Sequence, residues 1–232
     1  MSTQGEDITK NRIGFEKSNK ALGYIYQEWY ELISNFISEK EGINIELGCG
    51  ASFIDQINKS IKKTDVFLNS NTDFKLNAMD IGQKFESKIS NLILVNVFHH
   101  LNDPVLFLKA AEKSLLPGGR IIMIEPSNNY WSRLVYKFVD HEPFDTEQSE
   151  WKFQSKDPLL DSNQALSWII FERDYEKFKN LFPMFSLIQK KNMMPFSYLL
   201  SGGHSFNTRL GSFIRLIRKF ERLFFDKSLG MF

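Results

Sequence analysis

The chain has 232 residues, 42% of them hydrophobic and 25% charged, which suits one globular domain with a full core and excludes a disordered segment. A formal net charge of +1 speaks against a generic nucleic-acid binder, which carries a basic excess. The single cysteine cannot form an internal disulfide. Residues 1–20 lack the apolar core of a signal peptide, and no apolar stretch reaches the roughly 18 residues of a membrane span, so the cytoplasm is the expected location.

The first expected element is a helix near residues 21–39, where Leu22, Ile25, Trp29, Leu32, Ile33, Phe36 and Ile37 recur at helical spacing. A strand is expected over 43–47, a turn at Gly48–Gly50 and a helix over about 52–62. Short strands are expected over 65–68 and 74–78, and a strong one over 91–97. Within the last, Leu92, Ile93, Leu94 and Val95 form an unbroken run of the kind buried on both faces of a parallel sheet.

Asp103 can cap the next helix, Pro104 suits its first turn and Pro117-Gly118-Gly119 can end it. Another buried strand is expected over 121–125. Residues 127–165 are aromatic and polar without a clear period and read as a lid or insertion. A helix near 170–181, one or two sheet-completing strands between 185 and 200, a turn at Ser201-Gly202-Gly203 and a final helix over about 210–225 complete the expectation.

This rhythm predicts an α/β fold: a Rossmann-like, mostly parallel sheet with helices on both faces, an N-terminal helix and a C-terminal lid or helical region. It forms a single domain, with a core at about 41–126, the lid at about 127–165 and sheet completion with a helix over 166–232. In such sheets ligands bind at the carboxyl ends of the strands.

The turn Gly48-Cys49-Gly50 follows the first strand, where glycines let the backbone approach a ligand closely. A dinucleotide site wants G-x-G-x-x-G, but the third position falls on bulky Phe53. A nicotinamide oxidoreductase is therefore the weaker alternative. Asp65 lies where a carboxylate can accept hydrogen bonds from ribose hydroxyls. Valine at Gly48 is expected to fill the ligand's space without disturbing the fold.

The run from Ile43 to Pro126 resembles the class I S-adenosylmethionine (SAM)-dependent methyltransferases of the type-11 group. Their E-x-G-x-G-x-G motif reads Glu46-Leu47-Gly48-Cys49-Gly50-Ala51-Ser52, with serine at the third glycine. Their D-A pair appears as Asn77-Ala78, with Asp80 as a competing candidate. Leu94-Val95-Asn96-Val97-Phe98-His99-His100-Leu101 and Leu115-Leu116-Pro117-Gly118-Gly119-Arg120, followed by Ile124-Glu125-Pro126, are similar to further family blocks. The resemblance implies cofactor binding by Glu46, Gly48, Cys49, Gly50, Asp65, Asn77, Ala78 and Asn96.

His141-Glu142-Pro143-Phe144 and Asn163-Gln164-Ala165 resemble members found in bacterial surface-polysaccharide clusters. That implies polysaccharide biosynthesis, with a saccharide or lipid-linked saccharide as small-molecule substrate. Serine at position 52 and asparagine at position 77 keep open a second alternative, a catalytically inactive SAM-binding module.

Methyl transfer to a hydroxyl benefits from a general base, and histidine is the natural one near neutral pH. Of four histidines, His99 and His141 are the candidates; His100 reads as structural and His204 as a surface or lid residue. Cys49 reads as a small loop residue rather than a nucleophile. No metal is expected, since adjacent His99 and His100 should point in different directions. In the last helix Leu210, Phe213, Ile214, Ile217, Phe220 and Phe224 recur at helical spacing among Arg209, Arg215, Arg218, Lys219 and Arg222. That pattern fits either a docking helix or one touching an anionic membrane peripherally.

Overall fold

The computed structural model describes residues 13–14, 18–56, 58–138, 142–155, 161–203, 208 and 210–232. Helix α1 spans Lys20–Ser34. Asn19 caps it by accepting from the Leu22 N–H and ties it down by donating to the Ser201 carbonyl. It ends before residue 39 because the Ser38 backbone pairs with the Asn91 side chain through both its N–H (2.8 Å) and its carbonyl (3.2 Å).

Five strands follow: β1 (Ile43–Leu47), β2 (Lys62–Asp65), β3 (Phe74–Lys75), β4 (Ile89–Val95) and β5 (Leu115–Ile124). They form one parallel sheet in the order β3-β2-β1-β4-β5. The order in which strands are added reverses between β1 and β4, with all strands still parallel, and this is the switch point at which such sheets bind ligands. Every residue of β4 is buried. Its side chains alternate between two cores: Leu92 and Leu94 face Phe98, Phe107, Leu166 and Ile169, whereas Ile93 and Val95 face Leu22, Ile25, Trp29 and Met231. Full burial of each such side chain stabilises by about 1.5–3 kcal/mol.

Short helix α2 (Ile81–Lys84) precedes β4, and α3 (Pro104–Ser114) links β4 to β5. Asp103 caps α3 by accepting from the Leu106 N–H at 2.9 Å, and Pro104 opens it, as the sequence implies. Pro117-Gly118-Gly119 lies inside β5, where pairing with β4 jumps from Ile89–Leu115 to Asn91–Arg120.

The structure corrects several expectations. The helix over 52–62 does not form; there is one 3-10 turn at Ile54–Gln56. Asn58 accepts from both the N–H and the hydroxyl of Ser60, a local turn that competes with helix. Strand β2 already begins at Lys62, so Asp65 ends it rather than opening a strand.

The aperiodic stretch after Pro126 contains helix α4 (Tyr130–Phe138). It is started by reciprocal bonds between Asn129 and Ser132, each side chain accepting from the other's N–H. Among the described residues, no strand forms between 185 and 200. The backbone donors there are already engaged: Met193 pairs with Phe232, Met194 donates to Asp226, and Phe196 and Ser197 donate to Glu221.

The C-terminal half is otherwise helical. A turn α5 (Leu166–Trp168) continues through a π-helical turn at Ile169–Arg173 into α6 (Tyr175–Leu181), followed by α7 (Ser197–Leu200), α8 (Ile214–Phe224) and α9 (Asp226–Leu229). Among the described residues no helix is long and apolar enough to cross a membrane.

Candidate active site

The glycine turn leaves β1 with Gly48 at φ +62° and Gly50 at φ +47°, the left-handed region that glycine enters without strain. The two glycines differ in surroundings. A Cβ on Gly48 would meet Val97 Cγ2 at 2.7 Å, whereas one on Gly50 would meet nothing within 4 Å. Valine at position 48 therefore strains the contact with the segment after β4, and the expectation that it spares the fold is corrected. The open space is at Gly50.

The turn is tied to β2. The Cys49 N–H donates to the Thr64 carbonyl at 2.9 Å, and the Gly50 N–H donates to Asp65 Oδ2 at 3.1 Å. The other Asp65 oxygen accepts from the Phe67 N–H. Burial pushes the Asp65 carboxyl above its usual range, partly offset by these backbone donors. Asn71 braces the same turn by donating to the Gly50 and Ala51 carbonyls at 3.1 and 2.7 Å. Nothing in the sequence marked it, because its partners lie some 20 positions away. Cys49 is buried, and burial drives its thiol pKa upward. A thiol held protonated is a poor nucleophile.

Glu46 is buried at the end of β1. Tyr30 donates to its Oε1 at 2.5 Å and Ser52 donates to its Oε2 at 2.6 Å. Burial pushes its carboxyl up to about 7, with both hydroxyl bonds pulling the other way. Serine in place of the motif's third glycine thus has a physical role: its hydroxyl holds a buried carboxyl and also accepts from the Ile54 N–H.

Asn77 is exposed after β3, where its side chain accepts from the Met79 N–H; Ala78 next to it is buried and Asp80 is exposed. Asn96 follows β4 at φ +55°, uncommon for a residue with a side chain. Its N–H donates to the Ile124 carbonyl, and its buried Oδ1 has no hydrogen-bond partner among the described residues.

Beyond Asn96 the chain enters a cluster of ionisable groups. Glu125, one residue after β5, accepts from the Val97 and Phe98 N–H groups at 2.8 and 2.7 Å with Oε1. Its Oε2 lies 2.6 Å from His99 Nδ1. The other His99 nitrogen lies 3.5 Å from Glu142 Oε2, which also accepts from Ser162 at 3.1 Å.

Burial alone would lower the pKa of His99. The two carboxylates outweigh it and hold His99 at about 9, so the ring is an imidazolium at neutral pH. Burial likewise raises Glu142, but bonding to His99 and the histidine charges bring it down to about 2. Burial and the His99 charge lower His100 to about 4.

His141 and His204 lie outside the described residues. Glu125 and Glu142 are the members that motif reading passed over as candidates, although both stand inside quoted motifs. The two loosely matched stretches meet here: Asn163 N–H donates to the His99 carbonyl, Gln164 N–H donates to the Pro143 carbonyl, and Gln164 Nε2 lies 3.5 Å from Glu142.

The expectation that His99 and His100 diverge is also corrected. Their rings lie 4.3 Å apart, and one ligand atom each from His99, His100 and Glu142 fall within 4.8 Å of one another. The spacing could accept a divalent cation. His99 and Glu142 are already ion-paired without one, and His100 Nε2 lies 3.9 Å from the same Glu142 oxygen.

No family model matches the chain, and no curated protein matches it. Among solved structures, the chain is similar to the selenomethionine-substituted CurJ carbon methyltransferase, at 17% identity and a TM-score of 0.39. The match covers 67% of this chain and 46% of that one, so it spans less than half of that protein. The chain's own sheet order and N-terminal helix define its class: an α/β fold on a parallel sheet of order β3-β2-β1-β4-β5.

Proposed function

We propose that this chain is a SAM-dependent methyltransferase that acts on a small-molecule hydroxyl, of a saccharide or related metabolite. The supporting observation is the Gly48–Gly50 turn bonded to Asp65 at the carboxyl ends of β1 and β2, beside the switch point, with open space at Gly50. The partnerless Oδ1 of Asn96 at the end of β4 adds an unused acceptor at the same edge. Gly48, Cys49 and Gly50 offer backbone, Asp65 a carboxylate for ribose hydroxyls, and Asn77, Ala78 and Asn96 the remaining wall. Glu46 supports the turn through Ser52. The bound cofactor supplies a methyl group already activated on a sulfonium, so the protein's work is alignment and proton management.

The binding reading is tested at Gly50. Asparagine tolerates the left-handed backbone and would project into the open space. Gly50→Asn is expected to keep the parent's far-ultraviolet circular dichroism and to weaken S-adenosylhomocysteine by at least roughly tenfold, about 1.4 kcal/mol. Thermal-shift titration reads this directly, because a ligand of the folded state raises apparent stability. Unchanged affinity in the variant removes the turn from the site. Stabilisation by NAD in place of S-adenosylhomocysteine makes the chain a dinucleotide enzyme, and binding without turnover of any saccharide acceptor returns the inactive-module reading.

His99 is the proposed acceptor-side residue, and its charge state makes a distinct prediction. It can take a proton from a hydroxyl only after losing its own, which Glu125 and Glu142 hold up to about pH 9. Turnover is expected to climb as pH rises through that value. Glu125→Gln keeps an acceptor for the Val97 and Phe98 amides but removes one negative charge, so the rising limb should move toward neutral pH. A profile that is flat across this range in both proteins excludes His99 as the base.

A further inference from the structure

Helix α8 is mounted with much of its apolar surface facing outward. At about 100° per residue, Phe213, Leu216, Phe220, Leu223 and Phe224 share an arc of about 100°, and they are 55–70% exposed. The buried face carries Ile214 together with the charged Arg218 and Glu221. This orientation is locked by polar bonds. Arg218 grips both oxygens of Asp226 at 2.6 Å and reaches Glu28 at 2.9 Å. Glu221 accepts from the Phe196 and Ser197 N–H groups at the start of α7. Turning the helix to hide its phenylalanines would break all of these.

The exposed charges of α8 and α9 themselves have one sign. Arg215, Lys219, Arg222 and Lys227 are exposed, while Glu221 and Asp226, the acidic residues of α8 and α9, are buried. Arg215, Lys219 and Arg222 line a cavity of about 320 Å³ between α8 and α1 together with Glu28, which pairs with Arg222 at 3.0 Å, and Arg215 lies over the Tyr24 ring.

Helix α4 repeats the arrangement. Tyr130, Leu134 and Phe138 are exposed at four-residue spacing beside exposed Arg133 and Lys137, with no acidic residue in the helix. Phe196 joins the two regions, its ring 5.2 Å from Trp131 and 5.6 Å from Phe225.

We infer that α8 is an interfacial helix that seats this protein on an anionic membrane surface. An apolar stripe whose own helix exposes only cations beside it matches a bilayer interface, where acyl chains receive the stripe and headgroup phosphates receive the cations. A second copy of this chain would bring the same cations against one another, with no exposed carboxylate on α8 to answer them. The inference is independent of the chemistry proposed above and stands or falls separately.

The test is flotation of the full chain with vesicles of phosphatidylcholine alone or mixed with phosphatidylglycerol. Binding is expected to the mixed vesicles at low salt, much less to neutral ones, and to fall as salt rises. Two variants carry the structural claim. Phe220→Ser with Phe224→Ser should lose binding to both vesicle types. Lys219→Gln with Lys227→Gln should weaken binding to the anionic vesicles by about 30-fold, from roughly 1 kcal/mol per cation, while sparing what neutral binding there is. All four positions are exposed, so both variants should melt close to the parent. The inference is overturned if the protein stays unbound at low salt with anionic vesicles, or if the serine pair binds like the parent. It is equally overturned if light scattering shows self-association that the serine pair abolishes while no vesicle binds.

Discussion

Arg218→Ala is expected to cost about 3–5 kcal/mol, the range for removing one partner from a buried ion network. Arg218 is 5% exposed and donates to Asp226, Glu28 and Glu221. Asp226 and Glu221 are themselves buried. Without the guanidinium, their negative charges remain desolvated and face one another. Both are also needed where they are, since they accept from the Met194, Phe196 and Ser197 amides. Arg218→Lys should recover only part of the loss, because an ammonium cannot reproduce the two-pronged grip on Asp226. Urea unfolding followed by circular dichroism measures this, and a loss under about 1 kcal/mol contradicts the network's importance.

Glu46→Gln is expected to change how stability depends on pH. The Glu46 carboxyl stands at about 7 in the folded protein against an ordinary 4.5, because burial penalises its charge. A carboxyl whose folded pKa is raised contributes its stability in full below the unfolded value. That contribution is lost as pH rises through the folded value, here the window from 4.5 to about 7. The full loss is about 3 kcal/mol. Glutamine cannot ionise but can still accept from Tyr30 and meet Ser52.

Stability of the variant relative to the parent should therefore climb by about 3 kcal/mol across that window and stay level above it. His99 runs in the same direction over 6.5 to about 9, but it is present in both proteins and cancels in the difference. A constant difference between parent and variant from acid to alkaline pH would falsify the assignment.

The parts of the fold legible in the sequence were those set by neighbours in the chain. Asp103 and Pro104 start a helix through bonds made within three residues. The run Leu92–Val95 fits a doubly buried strand, and it is one. Local signals also misled where a tertiary partner won. The stretch over 52–62 had room for a helix, but β2 takes Lys62–Asp65 for the sheet and the Asn58–Ser60 turn uses up the rest. The apolar residues between 185 and 200 look like strands, yet their amides go to Glu221, Asp226 and Phe232, more than 20 positions onward. In the candidate site, the glycine turn was readable from its motif and Asp65 from its distance beyond the first glycine, and the two are bonded. The Glu125–His99–Glu142 arrangement was not, since it joins the ends of β4 and β5 to a loop 43 positions past His99 and no local spacing encodes that meeting.

The anchoring of α1 has a consequence for how the chain comes to be folded during its synthesis. Its cap is held by Ser201, 182 residues downstream, and Glu28 meets Arg218 across 190 residues. The aromatic face that contains Trp29 is completed by Tyr198 and Phe232. A ribosome adding roughly 5–20 residues per second needs about 10–40 s to supply those partners. Throughout that interval the sheet can zip from β1 to β5 and receive one side of α1 on Ile93 and Val95, while the Trp29 surface that takes Tyr198 and Phe232 waits uncovered. A nascent chain paused before residue 193 should thus be the species most readily captured by a hydrophobic-surface chaperone, and release should coincide with emergence of the last helices.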